Sequence, residues 1–250
     1  MTIREAIKQQ QESIKNRSFR QRLSFFWTYY GVKTICLLLA LITVVAFIVS
    51  IATQKEYGFT GVFFGAEPQA AAERYLSDFA ETARIDQDKF RIHVQAYGDI
   101  QMGQQITQEI YQSMEVFTAM VASHSVDCFA ANTELFLYYG YLGYAADLRT
   151  VLTAEDLTFL SPYLYYIDGK LIEEQENTDR ELTYAYDNRP DPTHPELMAD
   201  PIPVAVDLTV ATEAFRESYR FADAVIGICT NSDHVDHAAA FLRYCLALSE

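Results

Sequence analysis

The chain has 250 residues, with 19 Lys or Arg against 34 Asp or Glu, and its formal net charge is −15. This acidity argues against nucleic-acid binding, which depends on basic groups that neutralise phosphate, and it equally disfavours docking on anionic lipid headgroups. The sequence beyond the apolar segment described next is long enough, at about 195 residues, for one domain with its own core.

The most informative segment is an uncharged apolar run of 21 residues, Thr34 to Gln54. Roughly 20 apolar residues of helix cross the hydrocarbon core of a bilayer, because a helix satisfies all its backbone polar groups internally. Trp27, Tyr29 and Tyr30 precede the run, where an interfacial aromatic belt is expected. We therefore predict a single transmembrane helix at 34–54 that acts as a signal-anchor.

Two alternatives to this anchor stay open at the level of sequence. One is a helix buried in a soluble core. The other is a cleaved signal peptide, because Ser50-Ile51-Ala52 has the small-x-small form that signal peptidases accept. The run is longer than the roughly 7–15 residues of an ordinary signal-peptide apolar region, which favours retention of the anchor.

The charges on the two sides of the run predict its orientation. Residues 1–34 contain seven Lys or Arg and two Glu, whereas the other 216 contain 12 basic and 32 acidic residues. The net charges are therefore +5 and −20. Because basic loops stay in the cytoplasm, we predict a cytoplasmic tail at 1–33 and an extracellular domain at 55–250, anchored in the cell membrane.

The cysteines of the predicted domain do not suggest a disulfide framework. Cys128, Cys229 and Cys245 each lie in an apolar run, and isolated cysteines in such surroundings are usually buried as small apolar side chains. An exported domain without disulfides is more typical of a bacterium.

Short apolar runs alternate with amphipathic ones beyond Tyr57. The patterns predict strands at 61–65, 90–97, 126–131, 204–208 and 224–230, and helices at 70–83, 103–123, 133–143 and 234–248. Thr153 is expected to cap a further helix. A strand-helix alternation of this kind is typical of an α/β layer with a mainly parallel sheet and flanking helices.

Two further predictions concern the region after this alternation. Tyr163 to Ile172 is expected to form a β-hairpin that turns at Asp168-Gly169, a favoured tight-turn pair. Residues 170–203 are acidic and contain five prolines, which interrupt helices and cannot donate to a strand ladder. They are predicted to form a long loop.

Three segments resemble the bacterial extracellular solute-binding proteins, the receptors of ABC importers with a type II periplasmic-binding-protein-like fold. Val126 to Ala131, with Thr133-Glu134-Leu135 and Gly143 to Leu148, resembles a strand, helix and "G-x-x-x-D-L" segment of that family. Ile226 to Ser232, followed by Ala238 to Tyr244, is similar to the strand and helix that return to its first lobe. Tyr165 to Lys170 looks like the hairpin before its hinge.

This resemblance covers much of residues 58–248 and implies a domain of one lobe. Family members hold a sugar, peptide or ion between two lobes, but only 54 residues, 170–223, stand here between the hairpin and the returning strand. The chain is therefore similar to a truncated, membrane-anchored relative of these receptors. Whether 170–223 form a reduced second lobe is left open.

The predicted sheet also indicates where a ligand would bind. In open α/β sheets, ligands collect beyond the carboxyl ends of the strands, which here are followed by the loops at 65–69, 97–101, 132–134 and 231–233. The candidate ligand-binding residues at these positions are Phe64, Tyr97, Asn132, Thr133, Tyr138 and Asn231. Asn132 or Thr133 could instead serve only as a helix cap.

No catalytic or cofactor-binding motif is present in the sequence. The chain contains no Gly-x-Ser-x-Gly elbow, no phosphate-binding glycine-rich loop and no Cys-x-x-Cys pair. His234-x-x-His237 has spacing that could place two imidazoles on one helix face, but zinc requires further ligands. We therefore expect neither an enzyme nor a cofactor, and no metal site.

These observations lead to two main functional hypotheses, and a hydrolase with unfamiliar motifs is kept as a third class. The first is a non-catalytic binding or accessory component of an ABC-type transport system, with a permease or other membrane protein as partner and a small molecule as a further candidate ligand. The second is a structural or signalling interaction module that has lost ligand binding. Its contact surface would be Tyr138 and Tyr139 or the acidic loop.

Overall fold

A computed structural model describes residues 19–52, 55–103, 105, 107–177 and 183–248. The chain divides into two compact units, Met1–Gln54 and Lys55–Glu250. In the first unit, helix α1 spans Phe19–Ala52, and the part of the predicted tail at 1–18 lies outside the described residues. Tyr30–Ser50 is long and apolar enough to cross a membrane. Its apolar side chains are exposed, as Leu37 is to 72%, unlike those of a buried core helix.

The second unit contains eight strands and eight α-helices among its described residues. The strands are β1 Glu56–Phe64, β2 Glu67–Pro68, β3 Phe90–Tyr97, β4 Cys128–Ala131, β5 Leu164–Asp168, β6 Pro201–Asp207, β7 Tyr219–Arg220 and β8 Val225–Ile228. The helices are α2 Ala72–Thr82, α3 Gln108–Ala122, α4 Thr133–Tyr141, α5 Ala154–Leu160, α6 Gly169–Asn177, α7 Tyr184–Asp187, α8 Glu213–Ser218 and α9 Val235–Leu246. Short 3₁₀ turns occur at Leu148–Thr150, Ser161–Tyr163, Pro195–Leu197 and Leu208–Val210.

Six of these strands form one mixed sheet in the order β3-β1-β4-β8-β6-β5. The pairs β1–β3 and β1–β4 are parallel, whereas β8 pairs antiparallel with both β4 and β6, and β6 pairs antiparallel with β5. Four strands, β1, β3, β4 and β6, thus point one way. The remaining pair, β2 and β7, forms a separate two-stranded sheet.

Helices cover both faces of the six-stranded sheet, and each face has its own apolar core. One core contains Phe59, Phe63, Phe79 and Phe241, from β1, α2 and α9. The other contains Val62, Phe117, Phe129 and Phe136, from β1, α3, β4 and α4. Side chains alternate between the faces of a strand, so Phe63 and Val62 serve opposite cores. The predicted α/β class with flanking helices is confirmed.

The three cysteines of the second unit are buried and unpaired. Burial raises the pKa of the Cys128 thiol well above its ordinary value, and the adjacent Asp127 carboxylate adds to the effect. Because only the thiolate is a nucleophile, these thiols act as packing groups.

The local start signals that the sequence predicts for α5 are present. The Thr153 hydroxyl accepts a hydrogen bond from the Asp156 backbone N–H, and the Asp156 carboxylate accepts one from Thr153 N–H. This reciprocal capping box satisfies two N–H groups that a helix end would otherwise leave without partners.

The hairpin predicted over Tyr163 to Ile172 is wrong. Chain direction does change after Asp168, but α6 begins at Gly169, and the antiparallel partner of β5 is the distant strand β6. The Asp168 carboxylate accepts a hydrogen bond from Lys170 N–H at 3.0 Å. This bond gives a partner to one of the free N–H groups in the first turn of α6. Asp-Gly therefore begins a helix here, where a tight turn was expected.

Residues 170–203 are not one long loop as predicted. Most of α6, all of α7 and the first residues of β6 lie there, while 178–182 lie outside the described residues. Pro201 is tolerated as the first residue of β6, and Pro203 is tolerated because it pairs with Tyr166 beside a register shift. The segment returns to the sheet and belongs to the same compact unit as the rest of 55–250.

Candidate functional site

The candidate site lies at the carboxyl ends of the parallel strands β1, β3 and β4. Phe64 ends β1 and is 1% exposed. Its ring stacks on Tyr97 at 5.3 Å and meets Phe117 edge-on at 5.3 Å. The Tyr97 hydroxyl accepts a hydrogen bond from the Gln95 amide at 2.6 Å. Phe64 is therefore a core residue, and only the half-buried Tyr97 could contact a ligand.

Asn132 lies at the centre of this edge and is engaged by the protein itself. Its Oδ1 accepts from Leu135 N–H at 3.0 Å, as the N-cap of α4. Its Nδ2 donates to Asp99 Oδ1 at 2.9 Å and to the Ile100 carbonyl at 2.8 Å. Both protons and one oxygen lone pair are thus used, which favours the capping role over ligand binding.

Asp99, in the loop that follows β3, lies at the same edge of the sheet and accepts the hydrogen bond from Asn132. Gly65, which follows β1, has φ +74, and a Cβ built on it would lie 3.2 Å from Asp99 Oδ1. A glycine at this position permits both the left-handed turn and the close approach of Asp99. The loops after β1, β3 and β4 are therefore joined to one another at the point where a ligand was expected.

The two predicted residues of α4 lie farther along this edge. Thr133 is partly buried at the first position of α4. Tyr138 meets the rings of Tyr139 and Tyr186 edge-on at 5.4 and 5.5 Å. The predicted exposure of Tyr139 is wrong, because this residue is 2% exposed and packs in the core beside Phe117. Only Tyr138 of that pair remains at the surface.

A charged cluster beside Tyr138 was missed by the sequence interpretation. The Arg189 guanidinium lies 3.9 Å from the centre of the Tyr186 ring and also pairs with Glu134. The Tyr186 hydroxyl donates to Glu134 at 2.8 Å. Burial, and then this hydrogen bond to an anion, raise the pKa of Tyr186 to about 12. Glu134 is 52 residues from Tyr186 and 55 residues from Arg189 along the chain. No local pattern in the sequence therefore predicts these contacts.

Asn231 does not belong to this edge, contrary to the sequence-based prediction. β8 runs antiparallel to β4, so the loop that follows β8 lies at the amino ends of the parallel strands. There the Asn231 amide donates to the Val121 carbonyl at the end of α3. The buried Asn231 Oδ1 has no hydrogen-bond partner among the described residues.

The opposite edge, where Asn231 lies, is organised around the buried Asp127, which is 2% exposed. Asp127 accepts from Thr60 N–H at 2.7 Å and from Ser232 Oγ at 2.6 Å. His234 Nδ1 lies 3.4 Å from the same carboxylate. The Ser232 hydroxyl thus donates to the aspartate and not to the histidine. This arrangement differs from a nucleophilic triad and ties β1, β4 and the start of α9 together.

The spaced histidines of α9 do not form a metal centre among the described residues. His234 and His237 stack at 5.8 Å, and His237 Nδ1 hydrogen-bonds to the Gly58 carbonyl at 2.6 Å. The part of the chain that the structure describes contains no group of three or more His, Cys, Asp or Glu that could hold a metal ion. Both imidazoles instead connect α9 to β1 and β4.

An apolar pocket of about 450 Å³ lies between α2, α8 and the end of α9. Tyr75, Phe79, Ala240 and Tyr244 form much of its wall, with Arg243 at one side. The Arg243 guanidinium pairs with Asp156 at 3.5 Å and donates to the Val151 carbonyl at 3.2 Å. A cation neutralised in this way leaves a pocket suited to an uncharged, largely apolar small molecule.

Comparison with protein families, with curated proteins and with solved structures found no significant match.

Proposed function

We propose that this protein is a membrane-anchored, extracellular, solute-binding-like domain that acts as a non-catalytic accessory component of an ABC-type transport system. The observation that carries the proposal is the position of β8, which returns antiparallel between β4 and β6 after the whole 170–223 segment. In the resemblance described above, the same segment, Ile226 to Ser232, corresponds to the strand that returns to the first lobe. The single compact unit at 55–250 fits a domain of one lobe.

The N-terminal charge asymmetry supports the location. A net charge of +5 before the apolar helix and −20 after it favours a cytoplasmic tail and an extracellular domain in a bacterial cell membrane. A single-span anchor would hold the domain at a high effective concentration near a permease in the same bilayer.

The proposal is tested by capture and titration with the full chain. Crosslinking in native membranes, followed by purification in detergent, is expected to recover a permease or nucleotide-binding subunit of an ABC transporter. Calorimetry against uncharged, largely apolar small molecules, and against sugars, amino acids and peptides, tests for a solute. Ala240→Trp, which fills the apolar pocket, should abolish solute binding, while Tyr111→Trp on exposed α3 should leave it intact. Absence of both a solute and a transporter subunit contradicts the proposal.

The hydrogen bonds of Asn132 favour a second candidate, an interaction module without a ligand. An edge whose polar side chains are already paired recognises solutes poorly, whereas the exposed side of Tyr138 and the Arg189–Glu134 pair form a mixed aromatic and charged surface suited to a protein partner. Arg189→Ala with Tyr138→Ala should then reduce partner capture. The matched change Arg216→Ala with Tyr111→Ala should leave partner capture unchanged. Equal capture by both double variants would contradict this candidate function.

A further inference from the structure

The basic charge of the chain is concentrated just before the apolar span. The basic segment, residues 15–33, contains five basic residues and no acidic one, whereas residues 35–250 carry a net charge of −20. The five are Lys15, Arg17, Arg20, Arg22 and Lys33. The acidity that disfavours docking on anionic headgroups therefore belongs to the other side of the span, and the basic segment has the opposite preference.

Helix α1 carries part of this segment beyond the apolar span. The helix has 34 residues and begins at Phe19, whereas the stretch that is apolar enough to cross a membrane begins at Tyr30. The residues at 19–29 thus precede the span on the same helix, and at 1.5 Å per residue they extend it by roughly 16 Å. A continuous helix fixes how far each of its residues lies from the hydrocarbon core.

The helix geometry brings aromatic and basic residues close to the lipid headgroups. Trp27 precedes Tyr30 by roughly 4.5 Å along the axis, which is within the polar layer of about 5–8 Å on each side of a bilayer. Trp27 and Tyr30 are 54% and 47% exposed, so both rings can contact lipid. Arg22 and Arg20 precede Tyr30 by roughly 12 and 15 Å. They therefore lie within about one Debye length, ~8 Å at physiological salt, of that polar layer.

We propose that the basic segment binds anionic phospholipids and enriches them around α1 over zwitterionic ones. The proposal rests on the membrane anchoring of α1 proposed above. Lys and Arg beside a membrane-spanning helix attract anionic headgroups, and the contributions of several such residues add up. Nucleic acid would meet the same charges, but the apolar helix keeps them at the bilayer surface, and the aromatic residues beside them suit that interface.

The fluorescence of Trp27 tests the proposal directly. Trp27 is the single tryptophan of the chain, so its emission reports only on the lipids beside the basic segment. The full chain is reconstituted in phosphatidylcholine nanodiscs that contain a small fraction of brominated phosphatidylglycerol or of brominated phosphatidylcholine. Bromine quenches tryptophan on contact. The anionic lipid should quench Trp27 at least about threefold more strongly than the zwitterionic one at equal mole fraction.

Removal of the positive charges should remove most of this preference. Arg17→Gln, Arg20→Gln and Arg22→Gln together leave the apolar span unchanged but take away three of the five basic groups. High salt offers a second measurement on the unaltered chain. At 1 M salt the Debye length falls to ~3 Å, so quenching by the two brominated lipids should become nearly equal.

A matched variant removes the same amount of charge elsewhere. Arg74→Gln, Arg84→Gln and Arg220→Gln change three exposed residues of the second unit and should leave the lipid preference intact, with circular dichroism to verify folding of both variants. The proposal is overturned if the two brominated lipids quench Trp27 equally in the unaltered chain, or if the variant of the basic segment keeps the full preference. Nanodiscs present the same lipids on both faces, so neither result depends on the orientation of the chain in the cell or on a transporter partner.

Discussion

At the scale of single residues, polar side chains that resemble a binding site are used to hold the fold together. Asn132 caps α4 and also holds Asp99 and the Ile100 carbonyl. A binding role and a structural role predict different phenotypes for its removal. Ligand-binding residues are often replaceable without loss of stability, whereas a cap with three hydrogen bonds is not.

Asn132→Ala should lower the free energy of unfolding by about 2 kcal/mol, because it removes the cap and leaves polar groups of two loops without partners. Thermal or urea unfolding of the full chain in detergent measures the change. Asn188→Ala, which removes one exposed hydrogen bond to the Tyr184 carbonyl, serves as the control and should cost well under half as much. An Asn132→Ala chain as stable as this control would show that the side chain is not a structural centre.

Asp168 has an equally concentrated role at the junction of β5 and α6. Its carboxylate is 6% exposed and accepts from the backbone N–H groups of Lys170, Ala199 and Asp200 at 2.9 to 3.0 Å. The Asp168 N–H donates to the Tyr141 hydroxyl at 3.1 Å. One side chain thus connects the start of α6 to the chain just before β6.

Asp168→Ala is expected to cost about 3 kcal/mol of unfolding free energy, since three backbone donors lose a charged acceptor. Asp200→Ala, at a neighbouring exposed carboxylate, provides the comparison and should change stability by less than about 0.5 kcal/mol. Equal destabilisation by the two variants would indicate that the loss arises from charge and not from these hydrogen bonds.

At the scale of elements, β8 determines the arrangement of the sheet and depends on a glycine. A Cβ on Gly227 would meet the Val204 carbonyl oxygen and lie 2.6 Å from Phe136 Cζ. β8 is an interior strand with β4 and β6 on its two sides, so neither neighbour can move away freely.

Gly227→Ala should therefore destabilise the protein by about 3 kcal/mol through overpacking, measured by the same unfolding experiment. Gly98→Ala is the matched control, because a Cβ there meets nothing within 4 Å, and its stability should be nearly unchanged. If both variants unfold at the same temperature, β8 does not sit as tightly between its neighbours as the geometry requires.

The sequence predicted most elements because local signals specify them. β3 was predicted with its observed bounds from strict alternation, and the start of α5 from Thr153 as its N-cap. The hairpin failed because Asp-Gly suits both a tight turn and a helix start, and the donors from Ala199 and Asp200 lie 31 and 32 residues away. Asn231 was misplaced because sequence does not give the direction of β8. Strand direction and strand pairing depend on residues far apart in the sequence, so a short segment of sequence does not predict them.

At the scale of the whole molecule, the chain combines an apolar N-terminal helix with one α/β unit, and its charges divide sharply between the two sides of that helix. The helix at Tyr30–Ser50 fits a single span by its length and composition. Its orientation is a separate property that depends on the flanking basic residues.

The orientation can be measured by protease protection of the full chain. If the tail is cytoplasmic, protease added to intact spheroplasts should digest the acidic domain and leave a short protected fragment that contains the helix and tail. Exchange of Arg17, Arg20, Arg22 and Lys33 for Glu reverses the local bias, since insertion keeps basic flanks inside, and should protect the domain in a substantial fraction of chains. The control exchanges Arg149, Arg189, Arg216 and Arg220, which lie far from the helix in sequence and should leave the digestion pattern unchanged. Full protection of the domain in the unaltered chain would place it in the cytoplasm, where it could not serve an importer as an external component.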